Sequence, residues 1–333
     1  MKAMVLESCA DIDESPLRLK DVQIPEPGNK EVRIRVSACG VCRTDLHTIE
    51  GDIGYPDLPL IPGHQIIGKI DKLGKNAKRF KIGDRIGIAW LRHTCGNCVL
   101  CKDGKENLCE NSLFTGYHKN GGYAEYAIVP EDFAYEIPKI FTDEEATPLL
   151  CGGIIGYRCL KRAGVKPGQS LLLNGFGSSA HIVIQIAKYW GCKVYVVSRN
   201  LNHQNLARKF GAFWVGGSTS GVPENVDAAI IFAPAGNLVP QVLEKLKKGG
   251  TVALGGIYMS DIPEMNYEKH LFYEKNIHSV TSNTRKDGEE LLKIVAKIPI
   301  RPQTNTYPLE KANEALQDLK HDKIEGTAVL VPV

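Results

Sequence analysis

The fold of the second half of the chain is decided by the stretch Leu171-Leu172-Leu173-Asn174-Gly175-Phe176-Gly177-Ser178-Ser179-Ala180. An apolar segment typical of a strand is followed by closely spaced glycines and then by a segment with helical periodicity. This is the context in which the Gly-x-Gly-x-x-Gly/Ala fingerprint occurs. Gly175 permits the tight turn, Gly177 lets the backbone approach a pyrophosphate, and Ala180 lets helix pack on strand. The helix N-terminus adds positive potential. The stretch therefore predicts a dinucleotide site, the alternative being an ordinary glycine-rich turn that binds nothing.

The patterns that surround this stretch predict a parallel, doubly wound sheet of the Rossmann type. Glycines 191, 211 and 249 fall where the C-terminal caps of its helices are expected. Apolar strand patterns and helical periods alternate, with strands at 194–197, 228–232 and 251–254 and helices at 181–190, 202–210 and 238–246.

The first half of the chain has a different pattern. Val32, Ile34 and Val36 alternate with polar residues, which predicts a half-buried strand. Short strands broken by turn signals continue to about residue 150, as in an all-β barrel or sandwich. A chain of 333 residues exceeds one hydrophobic core, so two domains are expected. A final helix at 310–319 and strand at 327–331 leave open whether the chain returns to the first domain.

Composition narrows the class of partner. The 41 basic and 38 acidic residues are interspersed, which argues against a nucleic-acid or membrane surface and favours small molecules. No apolar run approaches the ~20 residues that span a bilayer, and the N-terminal apolar stretch is too short for a signal peptide. We therefore expect a cytoplasmic protein, in which the ten cysteines serve metal binding or catalysis rather than disulfides.

The choice of cofactor depends on the end of the second Rossmann strand. NAD-binding proteins place Asp or Glu there to hold the ribose hydroxyls, whereas this chain has Ser198 and Arg199. The missing carboxylate removes repulsion against a 2′-phosphate, and Arg199 offers charged donors that suit a phosphate. NADP is therefore favoured over NAD. The alternative is that Arg199 is a solvated surface charge.

Four cysteines lie close together within sixteen residues of the first half. Four thiolates on one short loop can close a tetrahedral zinc shell, which leaves no position for substrate. Iron–sulfur ligation is the alternative, since similar spacings also hold clusters. The four are Cys95, Cys98, Cys101 and Cys109.

Several motifs together resemble the zinc-containing medium-chain alcohol dehydrogenases along essentially the whole chain. They agree with that family in order and spacing. They are the segment Cys39-Gly40-Val41-Cys42-Arg43-Thr44-Asp45-Leu46-His47, the segment Pro62-Gly63-His64-Gln65-Ile66-Ile67-Gly68, the four-cysteine lobe, Gly121-Gly122-Tyr123-Ala124-Glu125-Tyr126 and the nucleotide fingerprint.

The resemblance implies a GroES-like, β-rich catalytic domain at 1–151 and 290–333 and a Rossmann domain at 152–289. It also implies two zinc ions per chain, the second one catalytic and held by Cys42, His64 and Cys151, with a fourth position for water or substrate oxygen. A redox pair of Cys39 and Cys42 is the competing interpretation.

The resemblance assigns roles to the residues after Cys42. Thr44 would take the substrate proton and pass it through the cofactor ribose to His47, and Asp45 would orient His64. Arg43 would reach the cofactor pyrophosphate. The alternatives are that Thr44 caps a helix and that His47 is an ordinary surface histidine.

Two residues depart from the family pattern. Gln65 stands where Glu usually follows the zinc-binding His, which puts ligand exchange in doubt, and Ile155 stands where many relatives have Thr beside the nicotinamide. Trp90 and Leu113 fall in segments that line the alcohol pocket of relatives, although residues of these types are more often part of a core than of a pocket.

The predicted function is reversible hydride transfer between a primary aliphatic or benzylic alcohol or its aldehyde and NAD(P). Zinc-dependent cinnamyl-alcohol, polyol or threonine dehydrogenases on the same fold are alternatives. A zinc-independent quinone or enoyl reductase is disfavoured, because every predicted zinc ligand is present. A nucleotide-binding structural or sensor protein that lost catalysis is the alternative from another class. By resemblance, the chain forms a homodimer or homotetramer.

Overall fold

The computed structural model describes residues 1–332 and divides the chain into two compact units. Unit 1 comprises residues 1–151, 282–296 and 302–332, and unit 2 comprises residues 152–281 and 297–301. Residues 282–289, which the resemblance assigned to the dinucleotide-binding domain, therefore lie in unit 1, and residues 297–301, which it assigned to the catalytic domain, lie in unit 2. For residues 282–289 the physical reason is that Arg285 bonds the buried Glu106 of unit 1 through its backbone N–H and its guanidinium.

Strands and helices are numbered in chain order. The strands are β1 (Lys2–Leu6), β2 (Leu17–Asp21), β3 (Glu31–Gly40), β4 (Gln65–Leu73), β5 (Arg85–Ile88), β6 (Leu91–His93), β7 (Leu113–Phe114), β8 (Tyr126–Pro130), β9 (Ala134–Glu136), β10 (Ser170–Asn174), β11 (Lys193–Val197), β12 (Trp214–Gly216), β13 (Val226–Ile231), β14 (Leu246–Leu254), β15 (Asn276–Ser279), β16 (Thr304–Pro308) and β17 (Thr327–Val331). The α-helices are α1 (Arg43–Glu50), α2 (Val99–Lys102), α3 (Asp143–Ala146), α4 (Gly152–Arg162), α5 (Ser178–Tyr189), α6 (Leu201–Lys209), α7 (Leu238–Glu244), α8 (Tyr267–His270), α9 (Arg285–Val295) and α10 (Ala312–Lys320).

Unit 2 is a six-stranded parallel sheet in the order β12-β11-β10-β13-β14-β15. The order reverses beside β10, as in a doubly wound dinucleotide-binding fold. The central strand β10 is buried at all five positions, which explains its unbroken apolar run. The Rossmann sheet predicted from the glycine stretch is thereby confirmed.

One sequence prediction in this unit is wrong. Gly191 and Gly211 follow α5 and α6 with φ of +74° and +75°, as expected of helix C-terminal caps. Gly249, in contrast, lies inside β14, three residues beyond its start at Leu246, also with a positive φ of +75°. The pairing of β13 with β14 shifts register at this level, so this glycine accommodates an irregularity in the strand rather than a helix end.

Unit 1 is built around a seven-stranded sheet in the order β16-β17-β3-β4-β5-β9, with β8 also paired to β3. The last strand, β17, pairs with β3 and thus returns the C-terminal segment to this unit. Residues on β3 alternate between buried and more exposed positions from Glu31 to Val36, which matches the period-2 pattern of the sequence. Two two-stranded sheets, β1-β2 and β6-β7, complete the unit.

The antiparallel pairing of β3 with β4 determines where the first functional segments lie. Gly40, at the end of β3, pairs with Gln65, at the start of β4. Cys42 follows the first of these residues by two positions and His64 precedes the second, so the ladder brings two distant parts of the sequence to one place. Within residues 1–332, no helix is long and apolar enough to cross a bilayer.

Gly68 allows β3 and β4 to approach closely, and we expect Gly68→Ala to destabilise unit 1. A Cβ at this position would lie 2.2 Å from the carbonyl oxygen of Arg35. Such overpacking costs about 1–3 kcal/mol, which lowers the thermal unfolding midpoint by roughly 3–10 °C. Gly217→Ala is the control, because its Cβ would meet its nearest neighbour at 3.7 Å. Equal midpoints for both variants would contradict the close approach of the two strands.

Candidate metal and dinucleotide sites

Cys42, His64 and Cys151 converge in unit 1, each offering a ligand atom within 4.8 Å of the others. The Sγ atoms of Cys42 and Cys151 are 3.7 Å apart. Cys42 is the residue that caps α1, and Cys151 ends the helical turn that follows α3. Two thiolates bonded at about 2.3 Å to one tetrahedral zinc are separated by about 3.8 Å, so the sulfur spacing fits a single zinc ion.

Asp45 organises this site. Its Oδ1 lies 2.8 Å from Nδ1 of His64, and its Oδ2 accepts a hydrogen bond from the backbone N–H of Cys42 at 2.9 Å. Both side chains are almost fully buried, Asp45 at 1% and His64 at 0% exposure. With Nδ1 donating to the carboxylate, Nε2 of His64 carries the lone pair that a metal requires.

Two buried polar atoms at this site lack a partner among the described residues. They are Nε2 of His64 and Oε1 of Gln65. Buried polar atoms are normally hydrogen-bonded, so an unpaired imidazole nitrogen beside two thiols is the atom expected to face a cation. The donor set therefore fits zinc. Gln65 packs over Gly40, where a Cβ would lie 3.0 Å from the amide carbon.

The ionisable groups of the site perturb one another. Burial opposes a charge on His64, but the Asp45 carboxylate raises its pKa to about 10. The hydrogen bond between the Cys42 and Cys151 sulfurs lowers the pKa of Cys42 well below its usual value and raises the pKa of Cys151. Burial raises the pKa of Asp45. A cation among these groups would replace protons on the thiols and the imidazole.

Burial also raises the pKa of the Tyr123 hydroxyl well above its ordinary value, and the nearby Asp45 carboxylate adds to that effect. The hydroxyl therefore stays protonated and donates a hydrogen bond to Oδ2 of Asp45 at 3.2 Å. Tyr123 belongs to a family motif, but no role was assigned to it from the sequence.

Thr44 does not cap α1, so that alternative is wrong. The cap is Cys42, whose Sγ accepts from the Thr44 N–H at 3.5 Å. The Thr44 hydroxyl lies 3.6 Å from the same sulfur, next to the candidate metal position. One helical turn further, His47 Nδ1 lies 2.8 Å from Oδ2 of Asp52, a partner that was not identified from the sequence.

Aromatic rings line the side of the site near His64. Trp90, which follows β5, meets the His64 ring edge-on at 5.0 Å between centroids. Phe114 stacks on Trp90 at 4.9 Å, and Tyr117 lies 6.0 Å from it. Trp90 thus lies beside the His64 ring, and its role in a substrate pocket stays a prediction. Phe114 and Tyr117 were not singled out from the sequence. Leu113 is half-buried on β7, and its role in a pocket stays a prediction.

The second cluster consists of four cysteines around the short helix α2. Their ligand atoms lie within 4.8 Å of one another. Sulfur–sulfur distances of 3.5 and 4.0 Å fit the spacing of about 3.8 Å around one tetrahedral zinc ion. Backbone N–H groups of three of them donate to neighbouring sulfurs at 3.4 Å, which stabilises thiolates. The four are Cys95, Cys98, Cys101 and Cys109.

Glu106 attaches this loop to the body of unit 1. Its carboxylate accepts from the backbone N–H of Arg285 at 2.7 Å and from the guanidinium Nη2 at 2.7 Å. Arg285 begins α9, and its guanidinium also lies 4.6 Å from the centre of the Phe133 ring. Neither residue was identified from the sequence, because 179 residues separate them.

The glycine turn of unit 2 has the predicted geometry. Gly175 adopts φ of +92°, and a Cβ there would lie 2.8 Å from the backbone nitrogen of Ala233, so the position requires glycine. Gly177 caps α5, and a Cβ on it would meet no described atom within 4 Å, which leaves its backbone open to a ligand. Ala180 is fully buried on α5.

The end of β11 bears the residues predicted to choose the cofactor. Ser198 is buried and bonds the Gly216 carbonyl, whereas Arg199 is exposed and forms no ion pair with any described residue. In unit 1, Arg43 pairs with Asp322 at 2.7 Å on the surface. Such exposed pairs contribute about 0–1 kcal/mol, so this bond holds Arg43 only weakly. Ile155 is half-buried on α4.

We expect Glu106→Gln to loosen the four-cysteine loop, because the amide cannot form the charged pair with Arg285. The measurement is limited proteolysis of the native protein, with cleavage mapped between residues 95 and 113. The control is Glu110→Gln in the same loop, since Glu110 is exposed and has no described partner. Faster cleavage in Glu106→Gln alone is expected, and equal rates in both variants would refute the anchoring role.

Known proteins resemble this chain in sequence and in structure. The family model of the alcohol dehydrogenase GroES-like domain matches residues 28–139, and that of the zinc-binding dehydrogenases matches residues 180–297. "Probable alcohol dehydrogenase AdhA" of Mycobacterium tuberculosis is 44% identical over 99% of this chain and 97% of its own length. "NAD-dependent alcohol dehydrogenase" of Sulfolobus acidocaldarius is 34% identical over 99% of each chain.

A solved structure agrees with these relatives. Acetophenone reductase from Geotrichum candidum, in complex with NAD, superposes with a TM-score of 0.88 at 27% identity, over 99% of this chain and 96% of that one. The expected combination of a GroES-like domain and a Rossmann domain is thereby confirmed. The chain belongs to the zinc-containing medium-chain alcohol dehydrogenase family.

Proposed function

We propose that this protein catalyses reversible hydride transfer between a small primary aliphatic or benzylic alcohol, or its aldehyde, and a nicotinamide cofactor, with NADP favoured. The observation that carries the proposal is the convergence of Cys42, His64 and Cys151, with Nε2 of the buried His64 unpaired among described residues. Three protein ligands leave one coordination position for a substrate, which is the arrangement of a catalytic rather than a structural zinc site.

In this proposal the three residues hold zinc, which when bound polarises the substrate oxygen as a Lewis acid. Asp45 keeps the His64 proton on Nδ1, so that Nε2 remains a ligand. The Thr44 hydroxyl, beside Cys42, accepts the proton of the alcohol. The proton would continue through the cofactor ribose to His47 and from there to solvent, with Nδ1 of His47 held 2.8 Å from Oδ2 of Asp52.

A second zinc, held by the four cysteines 95, 98, 101 and 109, has a structural role in this proposal. Four protein ligands leave no position for substrate. The loop that carries them holds only short elements, α2 and the 3-10 turn Glu106–Leu108, so metal binding supplies order that a core cannot. A single-ion site is supported by the sulfur spacing, because iron–sulfur clusters hold their ligands around several metal ions.

Unit 2 binds the dinucleotide in this proposal. The pyrophosphate would lie on the glycine turn at the N-terminus of α5, because a helix N-terminus attracts an anion. By the family resemblance, the guanidinium of Arg43 would bind the cofactor pyrophosphate. Ser198 and Arg199 replace the carboxylate of NAD-binding proteins, which supports NADP. The relatives named above include one titled NAD-dependent, so the cofactor requires direct measurement.

The aromatic wall of Trp90 and Phe114 supports a narrow, apolar substrate. Stacked rings offer flat apolar surface and few hydrogen-bond partners for a polyol. Leu113 would complete this wall.

We also propose a cytoplasmic homodimer or homotetramer. All ten cysteines are free, which is consistent with a reducing compartment. Exposed aromatic residues near the edge strand β15 support self-association through unit 2, among them Tyr267 at 66% and Phe272 at 56% exposure.

Zinc content and activity, measured together, test the proposal. Wild type is expected to contain two zinc ions per chain and to oxidise short primary or benzylic alcohols. Cys42→Ser is expected to lose one zinc and at least about 1000-fold in kcat/KM, because the polarising ion is absent. Cys101→Ser, the matched control, is expected to lose the other zinc and mainly stability. Wild type without zinc at the first site and without turnover on any alcohol would indicate a binding protein instead.

Arg199→Ala tests the choice of cofactor. We expect the KM for NADP to rise at least about tenfold, because a charge-assisted contact to phosphate is lost, while the KM for NAD stays unchanged. Lys209→Ala is the control, since Lys209 is an exposed cation of the same unit. Initial rates over a range of each cofactor provide the measurement. A wild type that prefers NAD, with both variants unaltered, would disprove the NADP assignment.

A further inference from the structure

Tyr123 is among the largest fully buried side chains of the protein, and its only polar side-chain atom faces Asp45. Its backbone is fixed on both sides, because its carbonyl accepts from the Met4 N–H at 2.8 Å and its N–H donates to the Pro62 carbonyl at 3.0 Å. The second of these bonds ties it to the segment that carries His64. The hydroxyl therefore has a defined position relative to Asp45 and to the loop of His64.

The Tyr123 ring also packs directly on the residue before His64. A Cβ on Gly63 would lie 2.4 Å from the ring and 2.8 Å from Sγ of Cys39, and Gly63 adopts φ of +95°. Glycine is therefore required there both by the backbone conformation and by the ring. The Tyr123 side chain therefore contacts two groups that orient His64. Its ring packs on Gly63, and its hydroxyl bonds Asp45.

The hydrogen bonds of Asp45 divide between its two oxygens. Oδ1 serves His64, whereas Oδ2 accepts from the Cys42 N–H and from the Tyr123 hydroxyl. A carboxylate at 1% exposure has no water to replace a lost donor. Removal of the hydroxyl leaves Oδ2 with one described donor, and the carboxylate is then free to rotate away from the geometry in which Oδ1 meets His64.

We propose that Tyr123 is a positioning residue for the metal site: it holds Asp45, and through Asp45 it sets the orientation of the His64 imidazole and the zinc affinity of the Cys42, His64 and Cys151 site. This inference rests on the proposed zinc site. It gives Tyr123 a role in metal binding although Tyr123 is not itself a metal ligand. A purely structural role would alter stability without altering the metal.

The test compares Tyr123→Phe with Tyr307→Phe in the full-length protein. Tyr307 is the control because its hydroxyl also donates to a carboxylate of the same unit, that of Asp318 at 3.0 Å, and neither of these residues belongs to the candidate metal site. Zinc affinity is measured by competition with a chromogenic chelator, and the site is also loaded with Co²⁺ to record its absorption spectrum. Loss of a group that hydrogen-bonds a metal ligand directly typically weakens metal binding about 10–100-fold, and Tyr123 acts one hydrogen bond further out, so the lower end of that range is expected.

We expect Tyr123→Phe to weaken zinc at the three-ligand site about tenfold and to shift the Co²⁺ ligand-field bands, with the four-cysteine zinc retained as a monitor of folding. Tyr307→Phe should change neither. If wild type holds only the four-cysteine zinc, the proposed function itself fails. If wild type holds both ions and Tyr123→Phe binds and absorbs like wild type, only the present inference is overturned.

A double-mutant cycle with Asp45→Asn tests whether Tyr123 acts through Asp45. In the Asp45→Asn background, Tyr123→Phe is expected to change zinc affinity by less than about twofold, since the shared path is already broken. A full tenfold effect in that background would contradict the mechanism. Should Tyr123→Phe not fold, two unnatural residues at position 123 supply the same comparison. Both keep the volume of tyrosine, but 4-aminophenylalanine has a hydrogen-bond donor and 4-methylphenylalanine has none.

Discussion

A single buried carboxylate, that of Asp45, connects the segments from which the candidate metal site of unit 1 is built. It receives hydrogen bonds from the cap of α1, from the His64 ring and from the Tyr123 hydroxyl. Burial of a carboxylate at 1% exposure costs free energy unless its oxygens are hydrogen-bonded, so Asp45 needs all three of these donors. Because Asp45 bonds Nδ1 of His64, the opposite ring nitrogen, Nε2, is directed toward the two thiols.

The seven-stranded sheet of unit 1 brings the hydrogen-bond partners Cys42 and His64 close to Asp45. The pairing of Gly40 with Gln65 sets β3 against β4, and the candidate ligands Cys42 and His64 lie just beyond these paired residues. Sites that depend on strand ends are positioned more rigidly than sites on long loops. The four-cysteine loop is the opposite case, since its own elements are short and Glu106 attaches it to α9. The first cluster is thus positioned by paired strands, whereas the second is positioned by a side-chain contact between its loop and α9.

Prediction from the sequence succeeded where one local pattern determines one local structure. The turn at Gly175 is such a case, because the apolar run, the glycines and the helical period are adjacent. It failed for Gly249, where a glycine inside a strand resembles a helix end. Contacts between distant segments were also missed: neither the bond from Tyr123 to Asp45 nor that from Glu106 to Arg285 leaves a periodic signal. Such pairs become visible only when the sheet places the segments together.

The proposed function requires a catalytic zinc ion in unit 1, bound between Cys42, His64 and Cys151. Diffraction from crystals of the zinc-loaded protein, recorded on both sides of the zinc absorption edge, tests it most directly. We predict two anomalous peaks per chain, one among the four cysteines and one bonded to Sγ of Cys42, Nε2 of His64 and Sγ of Cys151. A peak at the four cysteines alone, with His64 Nε2 bonded to a protein group, would contradict it.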